Sequence, residues 1–234
     1  MTKTAIIADS HLGGPGGDGR LFVEQLEALP SQGCGRLILL GDIFHVWVGF
    51  QKYETPEVRR VLPALEALRR QGIRLEYIEG NRDFFIAEGP YARYFDAVAT
   101  ETTVEIDGVR CLAVHGDGLN EQDRQYLFWR WLSKSLPVRL VVRHLPAAIT
   151  GRLMHRTEAR LAQTNFKHRT AIPKGAITGY AQSRFLEGHR VLYLGHFHEP
   201  HTWSTEDGEI RLLDAWFNSH RIEWVTALSG DSME

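Results

Sequence analysis

Residues 4–11 read Thr4-Ala5-Ile6-Ile7-Ala8-Asp9-Ser10-His11. A short apolar run bounded by a polar turn is a buried strand, and this one hands over directly to an acid and an imidazole. The same order returns four times. Arg36 to Leu40 is followed by Gly41-Asp42, and Leu75 to Ile78 by Gly80-Asn81-Arg82-Asp83. Val109 to Val114 is followed by His115-Gly116-Asp117, and Val191 to Leu194 by Gly195-His196-Phe197-His198. Helical spacing fills the gaps between the first three runs. Leu21 to Leu29 stops at Pro30; Glu57 to Gln71 puts Val58, Val61, Leu62, Leu65 and Leu68 on one face and ends at Gly72. Pro63 marks either a kink in that second helix or a later start. Further on, Thr102–Ile106 and Val109–Val114 flank Asp107-Gly108, a strong hairpin signal, and Trp203 to Leu213 turns around Asp207-Gly208. Arg221 to Ala227 alternates like a closing strand. Strand–helix–strand at the front and hairpins at the back predict a layered α/β sandwich.

Composition sets outer limits. The chain has 234 residues, 43% of them hydrophobic and 24% charged, with 27 Lys plus Arg against 29 Asp plus Glu, a net charge of −2. This excludes a disordered, collagenous or disulfide-framework protein and a bulk nucleic-acid binder. Cys34 and Cys111 are expected as buried thiols in a reducing compartment. No run approaches the ~18 apolar residues of a spanning helix, and Ala5 to Ala8 is too short for a signal core, so a cytoplasmic chain is expected. One interval departs from this balance. Residues 124–169 hold ten Lys/Arg and a single acid, Glu158, interleaved with Phe128, Trp129, Trp131, Leu132, Leu136 and further apolar residues. We read it as a helical insertion packed over the sheet.

Parallel strands that end at one edge bring their following turns together, and open α/β sheets bind ligands there. The five turns therefore deliver Asp9, His11, Asp42, Asn81, His115, His196 and His198 to one place. Taken singly, each piece has an ordinary reading. Asp9-x-His11 is a loop start, Gly41-Asp42 a turn, Asn81 a left-handed turn residue, His115 a core histidine, and the glycines are strand-ending turns. His196-x-His198 says more, because alternate strand residues point the same way. Together they form an oxygen and imidazole set without thiolate, suited to Mn²⁺, Fe²⁺ or Zn²⁺. Seven ligands are too many for one ion and suit two, with Asp42, alone on its strand, as the natural bridge. Two ions ~3.5–4 Å apart can clamp a phosphoryl group in line for attack.

The ordered set D-x-H, G-D, G-N-R-D, H and G-H-x-H resembles the calcineurin-like metallophosphoesterase superfamily, over roughly residues 4–118 and 188–227. The resemblance implies a four-layer α-β-β-α core, with a first metal held by Asp9, His11, Asp42 and His198 and a second by Asp42, Asn81, His115 and His196. Two further stretches, Gly41-Asp-Ile-Phe-His-Val-Trp-Val-Gly49 and Gly80-Asn-Arg-Asp-Phe-Phe85, are similar to the UDP-2,3-diacylglucosamine diphosphatase family of lipid A synthesis. Asp123 and Tyr126 fall where that family carries substrate-binding residues, and Asn165, Lys167 and His168 lie near its polar lid positions. Ser10, His45 and Phe197 depart from its pattern. Arg82 offers a planar fork for phosphate oxygens; its alternative is a structural pair with Asp83.

The expected architecture is thus a metallophosphoesterase core over residues 1–118 and 174–234 with a helical lid over 119–173. The expected activity is a two-metal, Mn²⁺-preferring hydrolysis of UDP-2,3-diacylglucosamine to UMP and 2,3-diacylglucosamine 1-phosphate. Asp42, Asn81, Arg82 and His115 would be its catalytic residues, and His196 would also touch substrate. The expected partner is a lipid-linked sugar nucleotide rather than nucleic acid, met at the cytoplasmic face of the inner membrane. Two rival readings are a metallophosphoesterase for a soluble nucleotide or phosphodiester, and a non-catalytic membrane-binding scaffold.

Overall fold

The computed structural model describes residues 2–119, 124–147 and 172–226. The front of the chain forms β1 (Lys3–Ile7), α1 (Gly19–Ala28), β2 (Cys34–Leu39), β3 (Trp47–Val48), α2 (Pro56–Arg70), β4 (Arg74–Ile78), β5 (Asp83–Phe84) and β6 (Ala97–Ala99). It continues with β7 (Glu101–Ile106), β8 (Val109–Val114), α3 (Arg124–Ser133), α4 (Leu136–His144) and α5 (Lys174–Leu186). The end is β9 (Val191–Leu194), β10 (His201–Ser204), β11 (Glu209–Leu212), α6 (Trp216–Ser219) and β12 (Glu223–Trp224).

Local signals account for the helix ends. Asp18 caps α1, its side chain accepting from the N–H groups of Arg20 and Leu21. Thr55 caps α2, and Pro56 opens it, where its missing N–H is not needed. The second helix therefore starts before Pro63 rather than after it. Pro63 is tolerated inside because it lies on the exposed face, where water can satisfy the carbonyl that its ring leaves unpaired.

Two five-stranded sheets carry the fold. The first runs β12-β1-β2-β4-β6, parallel except for β12, and the second runs β10-β11-β9-β8-β7. In the second, β11, β9 and β8 are parallel, and the hairpins β10–β11 and β7–β8 close its edges. Alternation along the strands decides the layers. Ala5, Ile7, Leu37, Leu39, Leu75 and Tyr77 face α1 and α2, burying Phe22, Leu26, Val58, Val61 and Leu65. Ile6, Ala8, Ile38, Leu40 and Ile78 face the second sheet and meet Cys111, Ala113, Val191 and Tyr193. The outer side of the second sheet is covered by α5. Ala181 and Phe185 are buried, Trp203 Nε1 donates to Thr178 Oγ1 at 3.3 Å, and Arg184 Nη2 to Glu101 Oε2 at 2.8 Å. The result is an α-β-β-α sandwich. Both cysteines are free and buried.

The chain divides into a unit of Met1–Asp117 with Thr178–Glu234 and a second of Gly118–Ile177. In the second, the described residues include α3 and α4, which leave large apolar side chains in solvent: Trp131 is 66% exposed, Leu136 55% and Phe128 53%. Among the described residues, no helix is long and apolar enough to cross a membrane.

Candidate metal centre

The turns that leave β1 and β2 are stitched together by backbone bonds, Asp9 N–H to the Gly41 carbonyl at 3.1 Å and His11 N–H to the Asp42 carbonyl at 3.0 Å. The turn after β9 joins them through His196 N–H, which donates to Asp9 Oδ2 at 2.8 Å. The turn after β4 joins through Arg82 N–H, which donates to Asp42 Oδ1 at 2.9 Å. His115, just past β8, holds its Nδ1 at 2.9 Å from the Leu40 carbonyl oxygen. A carbonyl only accepts, so Nδ1 carries a proton; Nε2 lies 3.3 Å from Asn81 Oδ1 and 3.7 Å from Asp42 Oδ1, where it holds a proton of its own until a cation takes that place.

Two groups of donor atoms result. Asp9, His11 and His198 offer atoms within 4.8 Å of one another, and so do Asp9, Asp42 and His115. In the first group His198 Nε2 lies 3.1 Å from Asp9 Oδ1 and 3.3 Å from His11 Nε2. In the second, the His115 ring packs edge-on against that of His196, centroids 5.3 Å apart. Asp9 is common to both groups.

The backbone at these positions is unusual. Asp9, His11, Asp42, His196 and His198 all have positive φ, between 44° and 68°. His196 and His198 lie beyond the end of β9, so the alternation of an extended strand is not what aligns them; two left-handed residues flanking Phe197 do. Strained conformations of this kind cluster where surrounding structure fixes a functional geometry. The glycines have a sharper role than ending strands. A Cβ on Gly80 would collide with Asp42 Oδ1 and His115 Nε2, and one on Gly41, at φ 77°, would meet His115 Nδ1. Asn81 does not occupy a left-handed turn position.

Electrostatics fit a cation. Asp9 is fully buried and Asp42 2% exposed, and acids at that depth are expensive without a positive partner. Burial alone would raise Asp9, but His115, His198 and His11 bring it down to about 2. Burial lifts Asp42 to about 7, with Asp83 and Asp9 adding to the rise against the pull of His115. Burial lowers His11 to about 3 and His196 to about 4, so both rings are neutral with a lone pair to give. Burial would lower His115 too, but Asp42 and Asp9 carry it up to about 9. Carboxylates, imidazoles and an amide carbonyl, with no thiolate, make a donor set for divalent ions of the first transition row.

Arg82 sits at the rim, its side chain 24% exposed, with Nη1 donating to the His45 carbonyl at 3.1 Å and Nε 3.7 Å from Asp42 Oδ2. Asp83 is fully buried; its carboxylate accepts from the N–H groups of Asp42 and Gly80 and from the Tyr77 hydroxyl. Phe217, on α6, stacks edge-on against His11 and His198 at 5.4 and 5.2 Å. Neither Asp83 nor Phe217 stood out as a site residue in the sequence. The acid of Gly80-Asn-Arg-Asp83 was a signal for the first; a four-residue helix gives none for the second. Tyr126 lies half-buried in α3, in the other unit. Asp123, Asn165, Lys167 and His168 lie outside the described residues.

No protein-family model matches the chain. Curated relatives do. The UDP-2,3-diacylglucosamine hydrolase of Stutzerimonas stutzeri is 33% identical over 211 residues, covering 87% of this chain and 85% of the relative. That of Aeromonas hydrophila is 28% identical over 227 residues, covering 94% and 93%. Among solved structures, a protein of unknown function from Aquifex aeolicus aligns with 96% of each chain at TM-score 0.49 and 16% identity. By the identity it shares with these relatives over nearly its whole length, the chain belongs to the UDP-2,3-diacylglucosamine hydrolase family.

Proposed function

We propose that this hydrolase splits the diphosphate of UDP-2,3-diacylglucosamine into UMP and 2,3-diacylglucosamine 1-phosphate, using two divalent ions, Mn²⁺ best, at the cytoplasmic face of the inner membrane. The observation that carries the proposal is the buried convergence of Asp9, His11, Asp42, His115 and His198 beside Arg82. Asp9, His11 and His198 would hold one ion, and Asp42, Asn81, His115 and His196 the other, with Asp9 and Asp42 shared between them. When bound, such ions supply Lewis acidity toward phosphoryl oxygens and lower the pKa of a nucleophilic water.

The chain's own residues do the rest. Arg82 presents a guanidinium fork to the non-bridging oxygens, where negative charge builds as the P–O bond breaks. The Leu40 carbonyl keeps a proton on His115 Nδ1, so Nε2 is the atom that would bind an ion once its own proton is displaced. Water supplies the oxygen that ends on one phosphorus, and the other phosphate leaves with the bridging oxygen. The polar groups suited to the uridine end, Asn81 and Arg82, favour attack on the phosphorus nearer uridine. Acyl chains need an apolar partner. The exposed Trp131, Phe128 and Leu136 among basic residues fit that need, and also fit an anionic membrane surface.

Hydrolysis in ¹⁸O-labelled water tests the proposal. The label is expected in UMP and absent from the sugar phosphate. Label in the lipid product would reverse the orientation, and release of UDP or inorganic phosphate would overturn the substrate. Elemental analysis of active protein should find two ions per chain; one ion would overturn the two-metal assignment.

A further inference from the structure

Asp83 is a buried anion that no step of the proposed reaction uses, yet its carboxylate holds the turns that carry the centre. Oδ2 accepts from Asp42 N–H at 2.9 Å and from Gly80 N–H at 2.8 Å. Those amides belong to two different turns, one after β2 and one after β4. A single oxygen therefore ties together the turn that carries Asp42 and the turn that carries Asn81. Oδ1 accepts from the Tyr77 hydroxyl at 2.8 Å.

Tyr77 in turn has little freedom. It is fully buried, and Trp47 and Phe95 pack against its ring with centroids 5.1 and 5.2 Å away. Trp47 lies opposite Asp83 in the β3–β5 pair, and its N–H donates to the Arg82 carbonyl at 2.9 Å. The aromatic cluster and the small sheet thus grip residues 82 and 83 from two sides. On the other side of the clasp, Arg82 N–H donates to Asp42 Oδ1. Asp83 holds the Asp42 backbone from behind while its neighbour orients the Asp42 side chain in front.

We propose that Asp83 is a positioning residue. Held by Tyr77, it sets the separation of the Asp42 and Asn81 turns and thereby the affinity of the ion between Asp42, Asn81 and His115. It reaches the Asp9–His11–His198 group only indirectly, through the Asp42 turn whose carbonyl accepts from His11 N–H, so that group should be affected much less. This rests on the two-ion reading above. Outer partners that orient a ligand in this way typically contribute 10–100-fold in metal affinity.

The experiment is Mn²⁺ titration of metal-stripped full-length protein by calorimetry, with electron paramagnetic resonance to detect coupled ion pairs and thermal melting to follow the fold. Wild type should take up two ions and show the coupled signal; uptake of one would count against the two-ion reading and not against the clasp. Asp83→Ala should weaken one of the two ions by about 10–100-fold, abolish the coupled signal at limiting Mn²⁺ and leave the other ion in place. Asp83→Asn keeps an oxygen for both amides and should lose less; Tyr77→Phe should fall between Asn and wild type or match Asn. If Asp83→Ala does not fold, the Asn and Phe variants decide, and loss confined to one ion in either supports the clasp. Wild-type affinity for both ions in the folded variants overturns it. So does an equal weakening of both ions in step with the melting temperature, the mark of a general structural role.

Discussion

The metal centre and the α3–α4 segment invert the usual partition of a folded chain in opposite directions. The centre hides charge: Asp9, Asp42 and His115 are each at most 2% exposed. The α3–α4 segment displays hydrocarbon: Phe128, Trp129, Trp131, Leu136 and Leu140 all stand in solvent. Each arrangement is unfavourable by itself. Each becomes favourable with a partner of the complementary kind, a divalent cation in the first case and an apolar phase in the second.

The sharpest way to break the comparison is to remove the shared acid. Asp9 serves both donor groups, so Asp9→Ala should lose both ions and at least roughly 10²–10³-fold in kcat, the scale of a lost transition-state contact. Elemental analysis showing one ion retained at full affinity would make Asp42 the only bridge. Next comes Arg82. Arg82→Ala should lower kcat by about 10²-fold with both ions still bound; an unchanged kcat would demote it to a structural tie between Asp42 and His45.

The α3–α4 segment should respond more mildly and selectively. Phe128→Ser with Trp131→Ser should raise KM for the acylated substrate by about tenfold for each side chain that the acyl chains cover, in line with ~1.5 kcal/mol or more per aromatic buried. Turnover of bis-p-nitrophenyl phosphate should be unaffected, and an equal fall on both substrates would refute an apolar partner. The smallest effect concerns a buried acid that already has its cations. Burial acts to raise Glu76, but hydrogen bonds from Arg36 and Thr102, with Arg74 beside them, hold it below its ordinary 4.5. A lowered carboxylate stabilises the fold above its unfolded value and loses that contribution as pH falls through its folded value. Wild type should therefore outlast Glu76→Gln near neutral pH by on the order of 1–3 kcal/mol, with the gap closing in acid. A gap that persists in acid would mean that packing, not charge, is responsible.

The centre was largely legible in the sequence because its residues follow strands long enough to show a pattern. Five apolar runs, each capped by polar residues, fix both the strand ends and what stands on them. The elements that escaped notice have no period to read. Strands β3 and β5 have two residues each and α6 has four, yet they seat Trp47, Asp83 and Phe217 against the centre. Sharing of Asp9 between both groups escaped for another reason. Strand order says which turns are neighbours, but the reach of a side chain depends on the φ of its own residue, and five of the ligand candidates bend the unexpected way. In the 124–169 interval, composition carried the charge and the apolar content but no register, so the polar positions proposed there had nothing to anchor them.

Left-handed backbone at Asp9, His11, Asp42, His196 and His198 also bears on what keeps those side chains there. In that conformation a side chain costs roughly 1–2 kcal/mol that glycine does not. At these five positions the backbone alone would favour glycine, and it is the side chain's partners that offset that preference. Acids and imidazoles in that geometry serve what they bind rather than the fold that carries them.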